Sequence, residues 1–179
     1  KYLEYIGKVM FVQAGVMSRV NIHSYQELSG QIEDALENLN ERFSTDDWQP
    51  ILYLSDDLPG VTLAAFWRMP RFCVVSSLHD GMNLVAKEFV ASRYDDEGSL
   101  ILSPFTGAAD ELRDAFMVNP YATDEFARTI DSAIKATREE RSRRMRSMRS
   151  VVRDNNIYKW AADLITAMTE FENQPIRVG

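Results

Sequence analysis

His79-Asp80-Gly81-Met82-Asn83-Leu84-Val85-Ala86-Lys87-Glu88 is the stretch on which the reading of this chain turns. A short apolar run, Phe72 to Val75, precedes it, and a helical pattern continues through Phe89 and Val90 to about Arg93. Strand, glycine-containing turn and helix start follow one another without a break. Such a junction presents free backbone N–H groups and the positive end of a helix to an anion. Two carboxylates flank it: Asp80 in the turn and Glu88 further along the helix. With a rise of about 1.5 Å per residue, these acids can grip different ends of one extended ligand.

Outward from this junction, apolar runs alternate with helical patterns. Strands are expected at Lys8 to Ala14, Pro50 to Leu54, Phe72 to Val75, Ser99 to Leu102 and Phe116 to Val118. Between them the spacing predicts a long helix from Tyr25 to Phe43, with Ser24 as its cap and Leu28, Ile32, Leu36 and Leu39 along one face. Shorter helices are expected at Val61 to Trp67, from Asn83, and at Gly107 to Leu112. Three helical segments close the chain: Asp124 to Lys135, Arg138 to Arg153 and Ile157 to Phe171, with a loosely held tail from Asn173 to Gly179. Strands alternating with helices predict an α/β fold, a mostly parallel sheet with helices on both faces and C-terminal helices. Continuously apolar strands fit burial on both sides.

In an open parallel sheet, ligands collect beyond the carboxyl ends of the strands. Besides the Leu78–Asn83 turn, Ser103-Pro104-Phe105-Thr106-Gly107-Ala108-Ala109 and Gly15-Val16-Met17-Ser18-Arg19 stand at such ends.

Composition bounds the function. A chain of 179 residues with 45% hydrophobic residues fits one domain with a substantial core. A net charge of −7 argues against general nucleic-acid binding, while leaving a small phosphorylated ligand open. No apolar run is long enough to span a membrane, and no secretory signal is visible. The single cysteine, Cys73, lies inside an apolar strand and reads as a buried, inert thiol, consistent with a reducing cytoplasm. Two histidines and one cysteine give no metal-ligand spacing.

Each candidate has a structural alternative. Taken alone, Asp80 reads as a cap for the following helix. Glu88 reads as an exposed helix residue paired with a cation, Lys87 as a solvated side chain, and His79 and His23 as loop residues. Gly81 and Gly107 are individually weak signals. The basic run from Arg138 to Arg153 is interrupted by Glu139 and Glu140. Met145, Met148, Val151 and Val152 give it a packing stripe, so it reads as an amphipathic helix. Phe66, Trp67 and Phe72 read as core.

Four ordered segments carry a resemblance. Asp80 to Glu88 matches, residue for residue, the signature of trehalose-6-phosphate synthases, which are retaining glycosyltransferases of the GT-B fold. Trp48-Gln49-Pro50-Ile51-Leu52-Tyr53-Leu54 resembles the family's W-x-P-x-x-Y-L strand. Leu100 to Leu112 resembles its L-I-L-S-x-F-x-G-A-A-x-E-L segment, and Val118-Asn119-Pro120-Tyr121 its V-N-P-Y turn. The likeness runs from about Lys8 to Phe171 and is to the C-terminal, donor-binding half, which implies a Rossmann-like domain over residues 1–179.

The resemblance implies a donor substrate, UDP-glucose or ADP-glucose, and no cofactor or tightly bound metal. It implies that Asp80 bonds hydroxyls of the transferred glucose and that backbone N–H groups around Gly81, Met82, Asn83 and Leu84 hold sugar or diphosphate. Val85 would lie near the nucleotide and Glu88 would bind the ribose. The acceptor is expected to be glucose 6-phosphate, giving trehalose 6-phosphate; glycerol 3-phosphate is the sibling alternative. The family usually carries Arg where this chain has His79. Its G-R-I-N-G-R-F segment corresponds here to Glu37-Asn38-Leu39-Asn40-Glu41-Arg42-Phe43, and Met69-Pro70-Arg71 also departs from the pattern. The family's D-R-x-D-Y-x-K-G segment and N-terminal acceptor domain have no counterpart in these 179 residues, which begin at Lys1 rather than Met. The expectation is a donor-side portion of a larger synthase, inactive by itself. A non-catalytic sugar-nucleotide-binding homologue and a generic α/β interaction module are the alternatives. In GT-B enzymes the last helix often crosses to the partner domain. The apolar side of Ile157 to Phe171, with Trp160, Leu164, Ile165 and Met168, suits such a partner or a homo-oligomer contact.

Overall fold

The computed structural model describes residues 2–15, 23–54 and 60–172. They belong to two compact units, Lys1–Pro59 and Gly60–Gly179. The Gly15–Arg19 edge, beyond Gly15, and the tail from Asn173 lie outside the described residues.

In the first unit, β1 (Phe11–Ala14) pairs in parallel with β2 (Ile51–Leu54), and α1 (His23–Phe43) connects them. The register runs from Phe11 opposite Ile51 to Ala14 opposite Leu54. The strand expected from Lys8 begins three residues later. The N–H groups of Lys8 and Val9 both donate to the Tyr5 carbonyl, at 3.0 and 3.2 Å. That turn, with Gly7 at φ +73°, holds the backbone out of the extended conformation. The long helix begins at His23, so Ser24 lies inside its first turn rather than preceding it. Asn40 joins α1 to β2. Its side-chain amide donates to the Ile51 carbonyl at 3.0 Å and its Oδ1 accepts from the Ile51 N–H at 3.1 Å.

The second unit carries a parallel three-stranded sheet in the order β3 (Phe72–Val75), β4 (Ser99–Leu102), β5 (Phe116–Met117). Phe72 stands opposite Ser99, Val75 opposite Leu102, and Ile101 opposite Phe116. The helices are α2 (Gly60–Phe66), α3 (Leu84–Ser92), α4 (Ala108–Glu111), α5 (Thr123–Lys135), α6 (Arg138–Asp154) and α7 (Ile157–Glu172).

Side chains alternate across this sheet, and each face has its own core. Cys73, Val75, Leu100 and Leu102 meet Ala86, Phe89 and Val90 of α3 and Met145 and Met148 of α6. On the other face Ile101, Phe72, Val74 and Phe116 pack with Phe126, Ile130 and Ala133 of α5. Helices therefore cover both faces, as the continuously apolar strands required. All four residues of central β4 are buried, and Leu100, Ile101 and Leu102 each contribute about 1.5–3 kcal/mol by leaving water.

The basic helix α6 is neutralised locally. Arg138 pairs with Glu97, Arg143 with Asp114, Arg144 with Glu140, and Arg149 with Asp96. With Met145 and Met148 buried beneath, this is the amphipathic helix that its spacing predicts. Arg93, just past α3, is a buried cation. Its guanidinium donates to the carbonyls of Arg68, Pro70 and Glu97 and pairs with Asp95. It thereby ties the segment before β3 to the segment before β4. Along α7 the apolar residues Ile157, Trp160, Leu164, Ile165 and Met168 are exposed. No helix among the described residues is long and apolar enough to cross a membrane.

Candidate functional site

Parallel pairing of β3 and β4 continues past their carboxyl ends. The Ser103 N–H donates to the Val75 carbonyl at 2.8 Å, and Asp80 bridges in parallel to Thr106. The Asp80 N–H donates to Phe105, Gly107 donates back to the Asp80 carbonyl at 2.9 Å, and Ala108 donates to Met82 at 2.7 Å. The Leu78–Asn83 turn and the Ser103–Ala109 turn therefore form one rigid ledge. Gly107 allows this closeness: a Cβ there would lie 2.9 Å from the carbonyl carbon of Gly81 and closer still to its oxygen. At Gly81 itself a Cβ would meet nothing.

Asp80 and Asn83 organise the ledge. Asp80 Oδ1 accepts from the Met82 N–H at 3.0 Å, and Oδ2 accepts from the Asn83 side-chain amide at 2.9 Å. The Met82 N–H first, and then the Asn83 amide, hold the Asp80 carboxyl below the usual carboxylate range. It is therefore an anion near neutral pH, suited to accept hydrogen bonds from hydroxyls. Asn83 has φ +76°, a left-handed conformation that Asn tolerates better than most residues. Its Oδ1 accepts from the Ala86 N–H at 2.9 Å.

The helix cap is thus Asn83, and the capping role that Asp80 suggests when read alone is corrected. Asp80 lies outside the helix and braces the residue that does the capping.

With the Ala86 N–H satisfied by Asn83, the N–H groups of Gly81, Leu84 and Val85 have no acceptor among the described residues. They sit where the helix dipole favours negative charge. The Met82 N–H, in contrast, is engaged by Asp80. Met82, Leu84 and Val85 expose apolar side chains beside these donors. Glu88 is exposed and makes no ion pair among the described residues. It lies one turn beyond Leu84 on the same helix face, and its side chain leans back toward the helix start. His79 is exposed beside Asp80.

Lys87 is not a solvated side chain. Its ammonium lies 2.6 Å from Glu111 Oε1, and the Asn155 amide donates to Glu111 Oε2 at 3.1 Å. Burial raises the Glu111 carboxyl, but the bonds from Lys87 and Asn155 and the Lys87 charge together bring it below its ordinary range. Sequence reasoning missed this contact because the partners lie 24 and 44 residues from Glu111. Cys73 is buried, and burial pushes its thiol up to about 12, as the inert reading requires. Among the described residues, no group of three or more His, Cys, Asp or Glu side chains is placed to hold a metal ion.

The chain is similar to known proteins over almost its whole length. The model of glycosyltransferase family 20 matches residues 1–170. The trehalose-6-phosphate synthase of Klebsiella pneumoniae is 39% identical over 166 residues, which is 92% of this chain and 35% of that protein. The bifunctional trehalose-6-phosphate synthase/phosphatase of Thermoproteus tenax is 36% identical over 165 residues, 92% of this chain and 23% of that protein. Among solved structures, the E. coli structure bound with UDP-2-fluoro glucose superposes with a TM-score of 0.90 at 36% identity, over 93% of this chain and 37% of that one. A UDP-forming synthase of Burkholderia xenovorans in complex with glucose-6-phosphate gives 0.88 at 38% identity, over 93% and 37%. The chain spans about a third of the length of such relatives, with the α/β fold expected from its sequence. On this combined likeness of sequence and structure, the chain belongs to glycosyltransferase family 20.

Proposed function

We propose that residues 1–179 form a single nucleotide-sugar-binding domain, the donor side of a retaining glucosyltransferase. The donor is UDP-glucose or a close relative such as ADP-glucose. The complete protein transfers its glucose to glucose 6-phosphate, forming trehalose 6-phosphate, with the acceptor held outside this chain. The observation that carries the reading is the ledge of Asp80 to Val85: a carboxylate held ionised in the turn, three N–H donors at and before a helix start and Glu88 one turn on, none of them paired among the described residues.

Each part has a chemical task. Asp80 accepts from hexose hydroxyls and thereby orients the sugar. The N–H groups of Gly81, Leu84 and Val85, beside Met82 and Asn83, stabilise negative charge on the departing diphosphate. Glu88 accepts from the two ribose hydroxyls. The relatives' structures with UDP-2-fluoro glucose and glucose-6-phosphate support this substrate pair. His79, exposed beside Asp80, favours a second reading in which the protein binds the donor without transferring it.

The test is calorimetry and turnover with the complete protein. UDP-glucose binding that Asp80→Ala abolishes, together with formation of trehalose 6-phosphate, supports the first reading. Binding without transfer to either glucose 6-phosphate or glycerol 3-phosphate supports the second. No binding of UDP-glucose or ADP-glucose at saturating concentration overturns both.

A further inference from the structure

We propose that Lys87 and Glu111 are positioning residues for the donor site: their bridge sets the orientation of the first turn of α3, and with it the reach of Glu88. The inference rests on the donor-site reading above.

Three observations lead to it. First, Arg93 fixes the far end of α3, and between that end and the ledge the helix packs through the apolar side chains of Ala86, Phe89 and Val90. Such contacts are non-directional and leave the aim of a polar side chain on the other face to other bonds. Second, the ledge fixes only the helix start, through Asn83 and the bond from Ala108 to Met82 at 2.7 Å. Third, the Lys87–Glu111 pair acts one turn beyond Asn83, at 2.6 Å and half-buried, and it joins α3 to the last residue of α4. Glu111 is held from its other oxygen by Asn155, the residue that ends α6. Two directional bonds on one carboxylate make it a fixed anchor rather than a swinging surface group.

Lys87 is adjacent in sequence to Glu88, so the torsions that place one govern the other. Successive helix residues are about 100° apart around the axis, so Lys87 can face Glu111 while Glu88 remains free. The alternative role for Lys87, direct contact with the ligand's phosphates, requires it to leave Glu111. The two roles predict opposite effects of neutralising Glu111. If Lys87 is a positioning residue, losing the anchor weakens donor binding. If it is a ligand cation restrained by Glu111, losing the restraint strengthens binding.

The experiment uses the complete protein, with UDP-glucose affinity measured by calorimetry and thermal stability measured in parallel. Glu111→Gln and Lys87→Met are each expected to weaken affinity about five- to tenfold, within the range for residues that act on a ligand without touching it. The donor KM should rise while the acceptor KM stays put. Lys87→Arg, which keeps the charge, should recover most of the loss, as should the exchange Lys87→Glu with Glu111→Lys. A donor affinity that is unchanged or tighter in Glu111→Gln overturns the inference. So does a fall in thermal stability with donor KM unchanged, which marks a merely structural pair. If the wild-type protein fails to bind UDP-glucose or ADP-glucose at all, the donor-site reading fails, and that result is distinct from wild-type binding that ignores Lys87 and Glu111.

Discussion

The backbone N–H of Gly107 donates to the carbonyl of Asp80 at 2.9 Å, so the turn after β4 rests on the turn that carries this ionised acid. The contact leaves no room for a side chain at Gly107, because a Cβ would press into the carbonyl group of Gly81. Gly107→Ala should therefore separate the two turns. The expected cost is about 1–3 kcal/mol of stability, typical of overpacking, measured by urea denaturation. Donor affinity should fall with it. Gly81→Ala, where a Cβ meets nothing, should leave stability within about 0.5 kcal/mol.

Asp80→Asn tests the carboxylate. The amide keeps the size of the side chain but cannot accept at both ends, and its NH2 group would face the Asn83 amide. If Asp80 orients the sugar as proposed, donor turnover in the complete protein should drop by about 100-fold. The far-ultraviolet circular dichroism should not change.

Acid should weaken the ledge with a defined sign. Asp80 and Glu111 both have carboxyls lowered in the folded protein. Their contribution is present above the unfolded values of about 4 and is lost as pH falls through the lower folded values. A plot of stability against pH should decline below about pH 4, and the decline should be shallower in the double variant Asp80→Asn, Glu111→Gln.

Cys73 should resist thiol reagents. With its thiol raised to about 12 by burial, essentially no thiolate exists at pH 8. Labelling by a disulfide reagent should proceed only as fast as the unit opens, and should become rapid in denaturant. Fast stoichiometric labelling of Cys73 in the folded protein would contradict the burial described.

Arg93→Met should be severely destabilising. It removes the donor to the carbonyls of Arg68, Pro70 and Glu97 from a residue that is 4% exposed. The carbonyls left behind are only part-buried, and a fully buried one costs about 1–3 kcal/mol, so a total loss of about 2–3 kcal/mol is expected by thermal denaturation.

The strands of the second unit were legible because parallel strands buried on both faces read as uninterrupted apolar runs; Phe72–Val75 and Ser99–Leu102 match to the residue. The boundaries that moved did so for local reasons, such as the Tyr5 carbonyl drawing Lys8 and Val9 into a turn. At the site, Asp80, Gly81 and Glu88 stood out because their residue types and spacing carry chemistry. The capping role of Asn83 was hidden because Asp80 competes for it in sequence, and only the left-handed backbone at Asn83 decides between them. Lys87, Glu111 and Arg93 were illegible as anchors. Their partners are carbonyls and carboxylates from distant segments, and a charged residue looks the same in sequence whether it meets water or a buried acceptor.

Asn40 has a consequence for how the first unit behaves in solution. Pro50 turns its carbonyl to β1, so Ile51 points its own N–H and carbonyl the other way, and the Asn40 amide occupies both. A side chain thereby imitates a neighbouring strand at the rim of β2 and denies that position to the rim of another molecule. Replacing Asn40 with alanine would bare these two groups and invite strand-to-strand self-association, a hazard for shelf life and expression yield.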